Sequence, residues 1–195
     1  FSTASVTVTV DNVNEAPVIG DMSRSVDENS AVGTSVGAVL MYYDDDIGQS
    51  HTFSIEGGNT GDVFAVSGSG QLSVSKDALD FEGTDEYSLT VRVTDNGAGT
   101  MSDTCTVSVS IRDVNEKPTF VGSSVEVKSV AENSAVDTVV GSVVVGSDVD
   151  AGQTLSYRLA AGVDAFKIDP VSGQIRVKKS GLDFESKSSY DLDVT

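Results

Sequence analysis

Cysteine, histidine and tryptophan are almost missing from this chain, with one Cys, one His and no Trp in 195 residues. A single cysteine, Cys105, excludes any disulfide within the chain. It shares strand parity with Val107, Val109 and Ile111, so it reads as a small buried hydrophobe, not a reactive thiol. Zinc, which prefers His and Cys, finds almost no ligands. Basic residues are scarce as well: 12 Lys and Arg stand against 30 Asp and Glu, for a formal charge of −18. That deficit excludes a nucleic-acid backbone as the natural partner, since phosphate binding needs clustered cations. It also disfavours an anionic membrane surface. No apolar run approaches the ~18 residues of a membrane span, because Asp137 and Gly141 interrupt the valine-rich stretch near Val139. No signal peptide is visible, and with Phe1 in first place the sequence reads as a piece excised from something longer.

What the chain does have is alternation of period two. Val6, Val8 and Val10 alternate with Ser and Thr, as do Val107, Val109 and Ile111. Leu89, Val91 and Val93 form a further run, matched by Leu192 and Val194, and shorter runs sit at Val26, Val36 to Leu40, Phe53 and Ile55, Phe64 and Val66, and Leu72 and Val74. No segment has a helical period. Roughly seven short strands per ~100 residues, separated by Gly, Asn and Asp, predict an all-β fold of Greek-key β-sandwiches.

An acidic phrase is written twice. The first copy contains Asn12-Val13-Asn14-Glu15-Ala16-Pro17, Asp27-Glu28-Asn29-Ser30, Asp44-Asp45-Asp46 and Leu79-Asp80-Phe81-Glu82. The second contains Asp113-Val114-Asn115-Glu116-Lys117-Pro118, Ala131-Glu132-Asn133-Ser134, Asp148-Val149-Asp150 and Leu182-Asp183-Phe184-Glu185. The offset is 101 from Pro17 to Pro118, 104 from Glu28 to Glu132 and 103 from Asp80 to Asp183. A near-constant period of that length means tandem domains, because solenoid units are much shorter. Residues 1–14 then read as the last strand and linker of a preceding repeat, 15–115 as one complete repeat, and 116–195 as a second, truncated repeat. The truncated repeat is expected to be the less stable one.

A merely solvated acidic surface would place its carboxylates at arbitrary positions. Here Glu28, the Asp-x-Asp pair, Asp80 and Glu82 recur in register, whereas the loop from Glu56 to Gly61 does not. Oxygen-only ligands at recurring places suit a hard cation, and Ca²⁺ takes about 6–8 oxygens with tolerance for irregular geometry.

The ordered set Asp-x-Asn-Glu-x-Pro, x-Glu-Asn-Ser, Asp-x-Asp and Leu-Asp-x-Glu, occurring twice and covering the whole chain, closely resembles the cadherin repeat. The resemblance implies tandem seven-stranded, immunoglobulin-like sandwiches with Ca²⁺ between consecutive repeats. It implies that the main junction uses Glu28, Asp80 and Glu82 from one repeat, Asp113, Asn115 and Glu116 from the linker, and Asp148 and Asp150 from the next. At the preceding junction it implies Asn12, Asn14, Glu15, Asp44, Asp46 and Asp95, with Asn14, Asp44, Asp46 and Asp95 as the most complete set. Glu132, Asp183 and Glu185 would serve a further junction. Asn12 stands where the family usually has an aspartate, with Asp11 adjacent. Both linkers are one residue shorter than the family's common form and carry Glu in place of its second Asp. The function so implied is a calcium-rigidified segment of a large extracellular adhesion or cell-surface protein. The resemblance implies no enzymatic activity and no direct membrane insertion for this segment. Its partners would be adjacent repeats and a homophilic or heterophilic adhesion partner.

Other motifs carry less. Gly33-Thr34-Ser35-Val36-Gly37 matches a nucleophile elbow, but its counterpart, Asp137 to Gly141, has no serine, and the only histidine, His51, has Leu155 as its counterpart. A half-buried strand position is the expectation for His51. An EF-hand beginning at Asp44 would end on Ile55 instead of Glu, and Asp80 with Glu82 as glycosidase carboxylates ignores their register with the linker acids. Two rival functions remain open: a polysaccharide-binding module of a secreted adhesin, for which Tyr42 and Tyr43 are the only adjacent aromatic pair, and a passive spacer beside a secreted enzyme.

Overall fold

The computed structural model describes residues 1–195, which group into two compact units, Phe1–Val114 and Asn115–Thr195. In the first unit the strands are β1 (Val18–Ile19), β2 (Met22–Asp27), β3 (Tyr42–Tyr43), β4 (His51–Gly57), β5 (Phe64–Val66), β6 (Leu72–Val74), β7 (Glu86–Asp95) and β8 (Ser102–Arg112). A single 3-10 turn, Thr60–Asp62, precedes β5. In the second unit they are β9 (Thr119–Phe120), β10 (Gly146–Ser147), β11 (Phe166–Ile168) and β12 (Ile175–Val177).

The long strands of the first unit arise where alternation is strictest. In β7, Tyr87, Leu89, Val91 and Val93 point inward between exposed Ser, Thr and Arg, and β8 does the same with Cys105, Val107, Val109 and Ile111. These two strands pair antiparallel from Glu86↔Ser110 to Thr94↔Ser102, and β4 adds antiparallel to β7 with an irregularity between Ile55 and Gly57. On the other side β2 runs parallel to β8, from Met22↔Val107 to Asp27↔Arg112. The order of this four-stranded sheet is β2-β8-β7-β4. The facing layer is thinner. It holds the β5–β6 hairpin, the β1–β3 pair and an isolated bridge from Ser35 to Ser73. Val36, Leu40, Leu72 and Val74 from that layer meet Leu89, Val91, Val93, Val107 and Val109 in one core. Each such fully buried aliphatic side chain stabilises the unit by roughly 1.5–3 kcal/mol.

Three segments expected as strands are not strands. Residues 1–14 have no regular structure, and Val6, Val8 and Val10 lie exposed. Alternation alone makes no strand here, because no strand of the chain pairs with the segment. The run Val36 to Leu40 is interrupted by Gly37 at φ +67°. Its inward residues are held singly, Val36 N–H on Leu72 O and Leu40 N–H on Gly70 O, both within 2.9 Å. Leu192 and Val194 form no ladder either, and Val194 only bridges Leu159. The second unit has a smaller core, built from Val140, Phe166, Ile175, Val177 and Leu182, with Phe166 edge-on to Tyr190. Cys105 is buried, and burial pushes its thiol pKa up, as suits an inert core residue.

Candidate metal centres

Four acidic ends can be followed within the two units. At the trailing end of the first unit, β2 stops at Asp27 and delivers Glu28 into the protein, where it is 3% exposed. A buried carboxylate needs donors, and Glu28 has two: Phe81 N–H on Oε2 and Val114 N–H on Oε1, each at 2.8 Å. The first ties down the Leu79-Asp80-Phe81-Glu82 segment and the second the chain leaving β8. As a result one carboxylate oxygen from each of Glu28, Asp80 and Glu82 falls within 4.8 Å of the others. Such pairs repel by roughly 3–4 kcal/mol at an effective dielectric near 20, less where solvent screens Asp80 and Glu82. Asp113 follows β8 on the exposed side of this end.

The second unit repeats the arrangement at its own trailing end. Glu132, Asp183 and Glu185 bring their oxygens within the same 4.8 Å, and Phe184 N–H donates to Glu132 at 3.2 Å. Here all three acids are exposed. Asp183 is held below its ordinary pKa, first by the Ser186 hydroxyl and against the opposing effect of burial.

The leading ends of the units are also alike. In the first, the Asp44-Asp45-Asp46 turn closes on itself, with Asp46 N–H on Asp44 Oδ1 at 2.8 Å, and Glu15 N–H donates to Asp46 Oδ2 at 2.8 Å. Gln49 Nε2 reaches Asn14 Oδ1 at 2.6 Å, and Asn14 Nδ2 reaches Asp95 Oδ2 at 3.2 Å. Asp46 and Asp95 are buried, at 7% and 4% exposure. Asn12 and Glu15 hold Asp46 below its ordinary pKa. For Asp95, burial pushes upward, but the Met101, Asn14 and Gly97 donors outweigh it and the pKa is lowered. In the second unit Asp150 N–H donates to Asp148 Oδ1 at 3.1 Å, Glu116 N–H to Asp150 Oδ2 at 3.0 Å, and Gln153 Nε2 to Asn115 Oδ1 at 2.8 Å.

Each unit therefore gathers its sequence-predicted acids at its two ends. Glu15 and its counterpart Glu116 both donate a backbone N–H there. Three participants escaped the sequence reading. Gln49 and Gln153 recur in register and could have been found by that signal. His51, in β4, was expected only as a half-buried strand residue, yet its Nε2 donates to Asp44 Oδ2 at 2.6 Å with both side chains almost fully buried.

A cation suits these ends. Their donors are carboxylate and carboxamide oxygens, and Asp150 Oδ1 is buried with no hydrogen-bond donor. A buried anionic oxygen left without a donor is costly unless a positive charge satisfies it.

A family model described as "Cadherin domain" matches residues 22–112 and 127–195. Human protocadherin Fat 4 is 32% identical over 196 residues, covering 97% of this chain and 4% of its own length. The Drosophila melanogaster protocadherin-like wing polarity protein stan is 34% identical over 205 residues, covering 97% and 6%. Thus the chain spans only a small part of these relatives. Among solved structures, mouse cadherin-23 EC22-24 superposes with a TM-score of 0.63 at 28% identity, covering 88% of this chain and 55% of that one.

Proposed function

Because the chain belongs to the cadherin domain family, whose members form extracellular regions of cell-surface adhesion proteins, we propose that it is a calcium-binding, non-enzymatic segment that calcium stiffens. Glu28, Asp80, Glu82 and Asp113 at the trailing end of the first unit would hold the ion, as would Asn115, Glu116, Asp148 and Asp150 at the leading end of the second. Asn12, Asn14, Glu15, Asp44, Asp46 and Asp95 form the corresponding leading set of the first unit. Calcium supplies positive charge and 6–8 oxygen-seeking coordination positions.

The chain's own residues do the preparing. Glu28 fixes the Phe81 and Val114 backbones, which positions Asp80, Glu82 and Asp113. Glu116 N–H and Gln153 fix Asp150 and Asn115. With these groups neutralised, linker residues 113–118 would be immobilised. Without ions, like charge would keep them mobile. The proposed role is mechanical: repeats of this kind would hold a distal adhesion site, homophilic or heterophilic, away from the surface.

The observation that carries this reading is the repeated carboxylate triad, Glu28/Asp80/Glu82 and Glu132/Asp183/Glu185. Small-angle scattering of the whole chain in EDTA and in millimolar Ca²⁺ tests it. The expected result is a narrower distribution of particle dimensions with calcium, and identical curves would refute it.

A further inference from the structure

The two leading ends differ in one respect that their shared backbone pattern hides. In the first unit both carboxylate oxygens of Asp44, of Asp46 and of Asp95 are already taken. Asp44 accepts the Asp46 N–H on Oδ1 and His51 Nε2–H on Oδ2 at 2.6 Å. Asp46 accepts Asn12 Nδ2–H on Oδ1 at 2.5 Å and the Glu15 N–H on Oδ2. Asp95 accepts Gly97 and Met101 N–H groups on Oδ1, at 3.0 and 2.9 Å, and Asn14 Nδ2–H on Oδ2. The His51 ring is held for this task by Tyr42, whose centroid lies 4.4 Å away. The second unit repeats the Asp46 and Glu15 backbone donors as Asp150 and Glu116 N–H, but the counterparts of Asn12 and His51 are Asp113 and Leu155, neither of which carries a side-chain N–H. There Asp150 Oδ1 is left without a donor.

Resting on the calcium reading above, we propose that Asn12 and His51 make the leading end of the first unit a weak calcium site, kept in shape by side-chain N–H donors when no ion is bound. A carboxamide in place of a carboxylate removes one negative charge from the ligand set, and ligand charge is what tunes calcium affinity. A cation arriving at Asp44 and Asp46 must also displace or share donors already in place, whereas at Asp150 it meets a vacant lone pair.

Hydrogen exchange of the whole chain, read amide by amide during a calcium titration from EDTA, tests this. At ten times the dissociation constant of the stronger ends, Phe81, Val114 and Glu116 amides gain about tenfold protection, whereas a site binding tenfold more weakly gains only about twofold. Glu15, Asp46 and Met101 are therefore expected to be protected already in EDTA and to change about twofold. The double variant Asn12→Asp/His51→Leu, which writes in the second copy's residues, should raise their gain to about tenfold. Equal gains at the three ends probed in the unmodified chain would overturn the proposal, as would a folded double variant whose leading end responds no more than before. If no amide anywhere responds, the calcium reading itself falls and the contrast with it.

Discussion

The backbone N–H of Val114 donates to Glu28 Oε1 at 2.8 Å, joining residues 86 positions apart. One buried side chain thus fixes both the loop that carries Asp80 and Glu82 and the stretch that carries Asp113. Both contacts are hydrogen bonds within the chain, so their worth can be measured in EDTA. Glu28→Ala would leave two amides without their charged acceptor, and hydrogen bonds to charged groups contribute about 1.5–3 kcal/mol each. A loss of about 2–4 kcal/mol is expected for the first unit, read from urea unfolding by that unit's own amide signals. Its counterpart Glu132 is exposed and accepts one longer bond, so Glu132→Ala should cost the second unit about 1 kcal/mol or less.

Arg24 and Gly37 set a second constraint. A Cβ on Gly37 would lie 2.3 Å from Arg24 Cδ, and the backbone there has φ +67°. The pattern recurs at Gly141, whose Cβ would meet the Lys128 stem within 3.1 Å. In both units a Gln side chain, Gln71 or Gln174, donates to that glycine's carbonyl. Gly37→Ala is therefore expected to destabilise the first unit by about 1–3 kcal/mol, combining left-handed backbone strain with displacement of a packed stem. Gly20, with nothing within 4 Å and no left-handed φ, is the control. Gly20→Ala should stay within about 0.5 kcal/mol in the same unfolding experiment.

Acid should loosen the first unit's leading end even in EDTA. Asp46 is lowered chiefly by Asn12 and Glu15, and Asp95 by amide donors that prevail over burial. A group with a lowered folded pKa binds its proton more readily when unfolded. Its stabilising effect is complete above the unfolded value, about 3.9 for Asp. It is lost as pH falls from there through the folded value. In EDTA the melting temperature should accordingly be flat above about pH 5 and fall below about pH 4. Asn12→Ala removes the first contributor, so the same acid range should then cost less stability. A melting curve that is equally steep in the variant would contradict the assignment.

The alternation of β7 and β8, and the acids of each copy, were legible because both depend on spacing alone. Strand length was legible only where hydrophobic parity ran for several residues. Val36 to Leu40 has the parity of a strand, but Gly37 takes a left-handed φ that no ladder accommodates, and the sequence does not announce which glycines do so. Nor does it announce that β2 pairs parallel to β8, since register and direction follow from tertiary packing. At the site, Asp44, Asp46, Asp80 and Glu82 could be read from recurrence. His51 could not, because it occurs once, and the comparison of copies that found the acids discarded it. The backbone donors from Phe81, Val114 and Glu116 have no sequence signature at all.

Removing one carboxylate from the trailing triad separates ligand from scaffold. Glu82 is exposed, unlike Glu28, and its oxygen converges with those of Glu28 and Asp80. Glu82→Ala should therefore leave unfolding in EDTA within about 0.5 kcal/mol of the unmodified chain. Its effect should appear only with the ion present. At ten times the dissociation constant each occupied site adds about 1.4 kcal/mol by mass action. The unmodified chain should gain stability from Ca²⁺ in the ~10⁻⁴–10⁻³ M range typical of extracellular modules. The variant should gain measurably less, with a weaker isotherm in calorimetric titration. Mg²⁺ at equal concentration should substitute poorly, because it demands near-octahedral geometry at about 2.0–2.1 Å and gives up its water reluctantly. Equal isotherms for Glu82→Ala and the unmodified chain would remove Glu82 from the ligand set while leaving Glu28 its structural role.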